Sequence, residues 1–194
     1  MVQIIPAMGA KRKFLNGQLL LDSGQLGGSF FQHTVVLICK HDAAGAFGLV
    51  LNRTVGKTVG ELIIADLPEP LKAAPLFLGG PVQPGALSYL HTDPVIPATD
   101  VLPNMALGHS LDDLLEISES VFATKKVRMF AGYAGWSAGQ LENEMKQKSW
   151  LTYPASIELV LETPPEQLWQ KVLTRKGGWK NKLLAQMPED LSWN

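Results

Sequence analysis

At 194 residues the chain is long enough to bury roughly 70% of the surface its unfolded form exposes, which suits one domain spanning 1–194. Its 17 basic and 18 acidic residues leave a formal charge of −1, so no global field draws it to nucleic acid. One cysteine excludes an internal disulfide framework, no apolar run approaches the ~18 residues that cross a bilayer, and MVQIIPAMGAKRK reverses the order of a signal peptide, so a cytoplasmic location is expected.

Gly17 to Asp22 reads as a first strand and Thr34 to Lys40 as a second, whose unbroken Val-Val-Leu-Ile-Cys predicts burial on both faces. The turn His41 to Gly45 returns the chain into Phe47 to Asn52, a predicted hairpin. Thr58 to Ile64 reads as a short helix, Leu76 to Leu78 and Leu87 to His91 as strands, and the Pro-rich stretch Asp93 to Pro103 as a surface connection. Ser110 and Asp113 have the spacing of a capping box for a helix through about Glu119. Val127 to Tyr133 is a further strand, leading into a helix that starts at Ser137. After the apolar segment Ile157 to Leu161 comes Thr163-Pro164-Pro165-Glu166, where Thr163 caps and Pro164 and Glu166 take the first and third positions of a helix through Thr174. In the tail, Leu183, Leu184 and Met187 form an apolar stripe, with Trp179 and Trp193 among charged residues. That stripe is expected to pack on its own domain or on a second subunit.

The most informative stretch is VRMFAGYAGWSAGQLENEMKQKSW, Val127 to Trp150. An apolar run followed by Gly-Trp-Ser-Ala-Gly and a helix has the layout of a nucleophile elbow. A hydrolase of that type needs its histidine after the serine, and His33, His41, His91 and His109 all precede Ser137. A structural reading accounts for the same residues: Ser137 as N-cap, Gln140 at N3 completing a capping box, and Trp136 with Leu141 as a hydrophobic staple. An anion or ligand held by the exposed amides of this helix start, near Ser137 and Gln140, is the functional alternative.

Other candidate chemistry is sparse. Cys39 lies in the most apolar strand and reads as an inert core residue. The histidines, with Asp42 and Asp93, lack compact ligand spacing, so no metal and no cofactor is assigned. Gly79-Gly80-Pro81 follows a strand and could cradle a phosphate, but it lacks the residues of a P-loop or dinucleotide site and reads first as a tight turn. Asn52 and Arg53 end a buried strand, where polar groups either tie down loops or face a ligand. The basic clusters Lys11-Arg12-Lys13, Lys125-Lys126 with Arg128, and Arg175-Lys176 with Lys180 and Lys182 could serve nucleic acid only if the fold gathers them, and read first as solvated faces and helix ends.

Four blocks in order, TVVLICKH (Thr34 to His41), GAFGLVLNR (Gly45 to Arg53), LGGPV (Leu78 to Val82) and GYAGWSAGQLENEM followed by SW, resemble the YqgE/AlgH family of bacterial proteins across roughly Gly17 to Leu151. The resemblance implies an α+β fold, a mixed and largely antiparallel sheet curled into a pseudo-barrel with flanking helices, a cytosolic location and no established activity. In that family the position of Ser137 is often glycine, which removes a general nucleophile from it. Where the family usually has a Pro and then an Asp, this chain has Gly24 and Gly28, which leaves that loop free to differ. The Lys-rich C-terminal tail is a second departure. The family's naming for a regulator of alginate gene expression lends little weight to a direct DNA role. The expected function is a non-catalytic binding or regulatory module for a protein or small ligand, with Asn52, Arg53, Gly79, Gly80, Ser137 and Gln140 as ligand-binding candidates. The alternatives are a serine hydrolase using Ser137 and a DNA-binding regulator. Neither a membrane nor a specific nucleic acid is an expected partner.

Overall fold

The computed structural model describes residues 14–92, 98–120 and 127–186. Lys11, Arg12, Lys13, Asp93, Lys125, Lys126, Met187 and Trp193 lie outside them. The described strands are β1 Gln18–Asp22, β2 Val35–Asp42, β3 Gly45–Val50, β4 Thr54–Thr58, β5 Pro75–Leu78, β6 Val82–His91, β7 Thr99–Leu102, β8 Met105–Gly108, β9 Val127–Ser137 and β10 Trp150–Pro154. The helices are α1 Val59–Leu62, α2 Glu69–Lys72, α3 Leu111–Ser120, α4 Gln140–Lys146, a π-helical turn Glu158–Glu162, α5 Pro165–Lys176 and α6 Trp179–Gln186.

The sheet runs β10-β1-β2-β3-β9-β6-β8-β7, with β5 parallel to β9 and β4 on the far side of β5. Every other pairing is antiparallel. β9 is the junction: Ala134 to Ser137 pair with β3, Met129 to Ala131 with β5, and Val127 to Ala131 and Tyr133 with β6. The sheet curls around one apolar cluster that takes Leu19, Leu37, Leu49, Phe77, Leu90, Val101, Leu107 and Phe130 from eight strands. It does not close, because the path ends at β10 on one side and β7 on the other.

The unbroken apolar run of β2 is buried on both faces. Val35, Leu37 and Cys39 enter the large cluster beneath Leu168, Trp169, Val172 and Leu173 of α5, while Val36 and Ile38 pack against Trp136, Leu141 and Trp150. Each such aliphatic side chain removed from water contributes about 1.5 to 3 kcal/mol. Burial also pushes the Cys39 thiol well above its ordinary pKa, so it carries little thiolate. The β2–β3 hairpin turns through Ala43-Ala44, with the Ala44 amide donating to Asp42 Oδ1 at 2.8 Å.

Several elements depart from the sequence reading, each for a local reason. Thr99–Leu102 and Met105–Gly108 form a hairpin inside and beyond the stretch read as a Pro-rich connection; Asn104, at φ 63°, makes the turn. β4, β10 and α2 carry no apolar alternation strong enough to be read, and β4 is almost wholly exposed. Ile157 to Leu161 overlaps the π-helical turn, closed by the Thr163 amide on the Glu158 carbonyl at 2.9 Å. The following helix starts at Pro165, one residue later than expected, because a residue before proline is held out of the helical region and Pro164 is extended at ψ 134°. Thr163 is therefore no cap; its hydroxyl donates to the Glu158 carbonyl. The predicted Ser110 cap is present, the Asp113 amide donating to Ser110 Oγ at 3.2 Å, and α1 carries a box that was not read from the chain, the Thr58 amide donating to Glu61 Oε2 at 2.7 Å. α6 packs on α5 through Ala185 and Leu184, with Gln170 Nε2 donating to the Ala185 carbonyl, and leaves Trp179 and Leu183 exposed.

Candidate functional site

A cleft of about 480 Å³ opens between the β1–β2 loop and the segment that leaves β3, lined by Ser29, Phe30, Asn52, Arg53, Thr54 and Leu78. Asp22 sets its first wall. This carboxylate is fully buried and accepts from three amides of the loop, Gly24 at 2.8 Å and Leu26 at 3.2 Å on Oδ1, and His33 at 2.9 Å on Oδ2. Gly24 takes φ 86°, a conformation closed to proline, so the loop follows a path that a proline there could not.

Asn52 and Arg53 set the second wall. Where the β2–β3 ladder ends, Asn52 replaces it with side-chain bonds, Oδ1 accepting from the Val35 amide at 2.9 Å and Nδ2 donating to the His33 carbonyl at 2.8 Å. Arg53 Nη2 donates to the Gln32 carbonyl at 2.8 Å, and the guanidinium lies 5.7 Å from the centre of the Phe30 ring. Its Nε is buried without a hydrogen-bond partner. No carboxylate of a described residue pairs with this cation, unlike Arg175, whose Nη2 meets Glu158 at 2.7 Å.

Gly79 and Gly80 adjoin the cleft at Leu78 but are buried. The Gly79 amide is committed to the Ala131 carbonyl at 2.9 Å, and its own carbonyl accepts from Val50 at 2.8 Å. A Cβ on either glycine would collide with the backbone of Gly132 or Tyr133, so the pair serves close approach of β5 to β9.

Ser137 and Gln140 belong to a different place. Ser137 is the exposed last residue of β9, paired with Gly45, and α4 begins three residues on with Gly139 as N-cap at φ 75°. The sheet claims Ser137 before the helix can use it as a cap. Half of the expected box survives, since the Ser137 amide donates to Gln140 Oε1 at 3.1 Å. Trp136 and Leu141 do pack together, though from strand to helix. No histidine bonds the Ser137 hydroxyl. His41, on β2, accepts from the Leu15 amide through Nδ1 at 3.1 Å and faces Glu142 Oε1 through Nε2 at 3.2 Å.

Two arrangements escaped sequence reading. Glu144 accepts from both Trp136 Nε1 at 2.9 Å and Trp150 Nε1 at 2.7 Å on Oε2, and from Gln140 Nε2 at 2.9 Å on Oε1. Only the fold brings those indoles to one carboxylate. Ser88 Oγ lies 3.0 Å from His109 Nδ1, but Ser88 is buried in β6 and no ion pair with a described carboxylate orients His109, so the pair reads as a satisfied buried hydroxyl. Among the described residues no group of three or more His, Cys, Asp or Glu could hold a metal. Of the basic clusters, Arg128 turns inward, 4.4 Å from the Phe77 ring centre, with Nη1 and Nη2 directed at the Leu51 and Leu161 carbonyls at 3.4 and 3.5 Å. Desolvation lowers its pKa to about 10, which leaves it charged at neutral pH.

A family model described as AlgH-like matches residues 19–181. The chain belongs to the AlgH-like family. This AlgH-like chain is 39% identical over 178 residues to a UPF0301 protein of Chlorobaculum parvum, covering 89% of the chain and 92% of the relative. It is 36% identical over 180 residues to the UPF0301 protein CAB604 of Chlamydia abortus, covering 92% and 94%. The solution structure of the AlgH protein from Pseudomonas aeruginosa superposes with a TM-score of 0.73 at 29% identity, covering 93% of this chain and 98% of that one. A crystal structure of protein DIP2367 from Corynebacterium diphtheriae, 23% identical, shares the fold at the same TM-score, covering 93% and 96%. The overall fold of this AlgH-like chain is thus shared with both solved structures. No helix among the described residues is long and apolar enough to cross a membrane.

Proposed function

We propose that this AlgH-like protein is a cytoplasmic, non-catalytic binding or regulatory module, and that it contacts a small ligand or a protein through the Asn52–Arg53 cleft. One observation carries the reading: a cation with no carboxylate partner among the described residues lines an open cleft whose walls are fixed by the Asp22 and Asn52 bonds. Such a cleft is pre-formed, as ligand sites generally are. The hydrolase alternative lacks support because, among the described residues, the Ser137 hydroxyl has no base within hydrogen-bond reach, the minimum for nucleophilic catalysis. The buried glycines Gly79 and Gly80 act as a structural neighbour of the cleft in this reading, and Ser137 and Gln140 lie outside it.

An amide-resolved NMR titration with mixtures of small metabolites tests the proposal. Shifts should gather at Ser29, Phe30, Asn52, Arg53, Thr54 and Leu78. Shifts centred on Ser137, or labelling of Ser137 by a fluorophosphonate in the folded protein, would favour the hydrolase instead.

A further inference from the structure

We infer that the Arg53 cleft takes a compact oxyanion, a carboxylate or a phosphate, joined to a flat apolar group. This rests on the binding-module reading and narrows it to a ligand chemistry. The guanidinium of Arg53 is half-buried, keeps one hydrogen bond to the described residues, from Nη2 to the Gln32 carbonyl, and holds a buried Nε without a partner. A cation withdrawn from water without a counter-ion is unfavourable, and a buried unpaired donor adds to the penalty. An oxyanion relieves the first directly, and the match of two of its oxygens to the fork of a guanidinium makes arginine the residue suited to hold it.

The remaining groups of the cleft do not compete for that role. Both ends of the Asn52 amide are engaged with Val35 and His33, and Ser29 Oγ donates to the Leu26 carbonyl at 2.6 Å; both groups are uncharged and neither bonds Arg53. Thr54 adds a hydroxyl, while Phe30 and Leu78 supply apolar surface. The half-buried Phe30 ring already lies beside the guanidinium, so a ligand with an anion at one end and an aromatic or other flat group at the other meets both. The cleft's volume accommodates a ligand of that size.

The test compares phenyl phosphate, phenylacetate and uncharged benzyl alcohol by amide NMR on the whole chain, unaltered and with Arg53→Gln or Arg53→Lys. One or both anions should shift the Ser29, Phe30, Asn52 and Thr54 amides saturably, at least roughly tenfold more tightly than benzyl alcohol. Arg53→Gln should erase that advantage, and Arg53→Lys should keep part of it. Whichever anion binds more tightly names the source, phosphate or carboxylate. Equal binding of the alcohol and the anions, or anion binding unchanged in Arg53→Gln, overturns the anion inference and leaves the binding module standing. Absence of cleft shifts with all three probes at about 10 mM, weaker than any affinity of use here, also overturns it, and the metabolite titration then judges the module separately. Should Arg53→Gln lose its folded spectrum, the comparison of charged and uncharged probes on the unaltered protein decides alone.

Discussion

Glu144 joins two tryptophans that lie on different strands, and its loss would leave two indole N–H groups without an acceptor. Orphaned buried donors cost about 1 to 3 kcal/mol each. Glu144→Ala is therefore expected to destabilise by about 2 to 4 kcal/mol in urea unfolding, with Glu144→Gln, which keeps an acceptor oxygen, recovering most of the loss. Ser137→Ala should stay within about 0.5 kcal/mol of the parent, because the exposed hydroxyl caps nothing. A loss of more than 1 kcal/mol, roughly what a true N-cap contributes, would restore the capping role. The contrast shows what was legible at this scale. Spacing alone marked Trp136 and Leu141 as packing partners, but whether Ser137 ends a strand or starts a helix depends on Gly45, 92 positions away in sequence, pairing with it.

Among elements, the contact of the π-helical turn with α5 depends on charge. Glu158 accepts from Arg175 and from Lys171 Nζ at 2.8 Å, and these bonds, Arg175 first, lower its pKa from 4.5 to about 2. A depressed carboxylate contributes stability above its unfolded pKa and loses it as protons bind the folded state. The contribution should therefore be fully present above about pH 4.5 and fade between there and about pH 2. Melting temperature followed across that interval should fall less steeply in Glu158→Gln than in the parent; equal slopes would show the contact to be energetically silent. Elements rich in periodic apolar residues, such as β2 and α5, were readable from the chain. β4 and the π-helical turn were not, since one carries exposed polar residues and the other is defined by a hydrogen bond one residue longer than a helix's own.

For the molecule as a whole, the distribution of cations bears on partners. Arg128 is turned inward over Phe77, Arg175 is bound to Glu158, and Lys176 Nζ donates to the Thr152 carbonyl at 2.8 Å, so three cations once grouped as basic clusters have tasks within the fold. A mobility-shift titration at roughly 150 mM salt, near physiological ionic strength, is expected to show no submicromolar complex with one duplex that a scrambled duplex fails to form. Such a complex would replace the ligand reading with a DNA-binding one. The class of fold was legible because four sequence blocks carried it together. The cleft was legible only as separate residues, Asn52 and Arg53, because Ser29 and Phe30 are brought to them by a loop whose path Asp22 dictates.

The junction strand β9 carries a consequence for how the molecule assembles. Its partners β3, β5 and β6 all lie far upstream, and Gly45 to Gly48 cannot find Ser137 to Ala134 until the chain has been made through Ser137. Local contacts therefore cannot complete this sheet, and a chain governed by such distant pairings folds slowly, on the order of milliseconds to seconds. Until β9 arrives, the hairpin of β2 and β3 has an open edge bearing apolar residues, a state in which nascent chains adhere to one another.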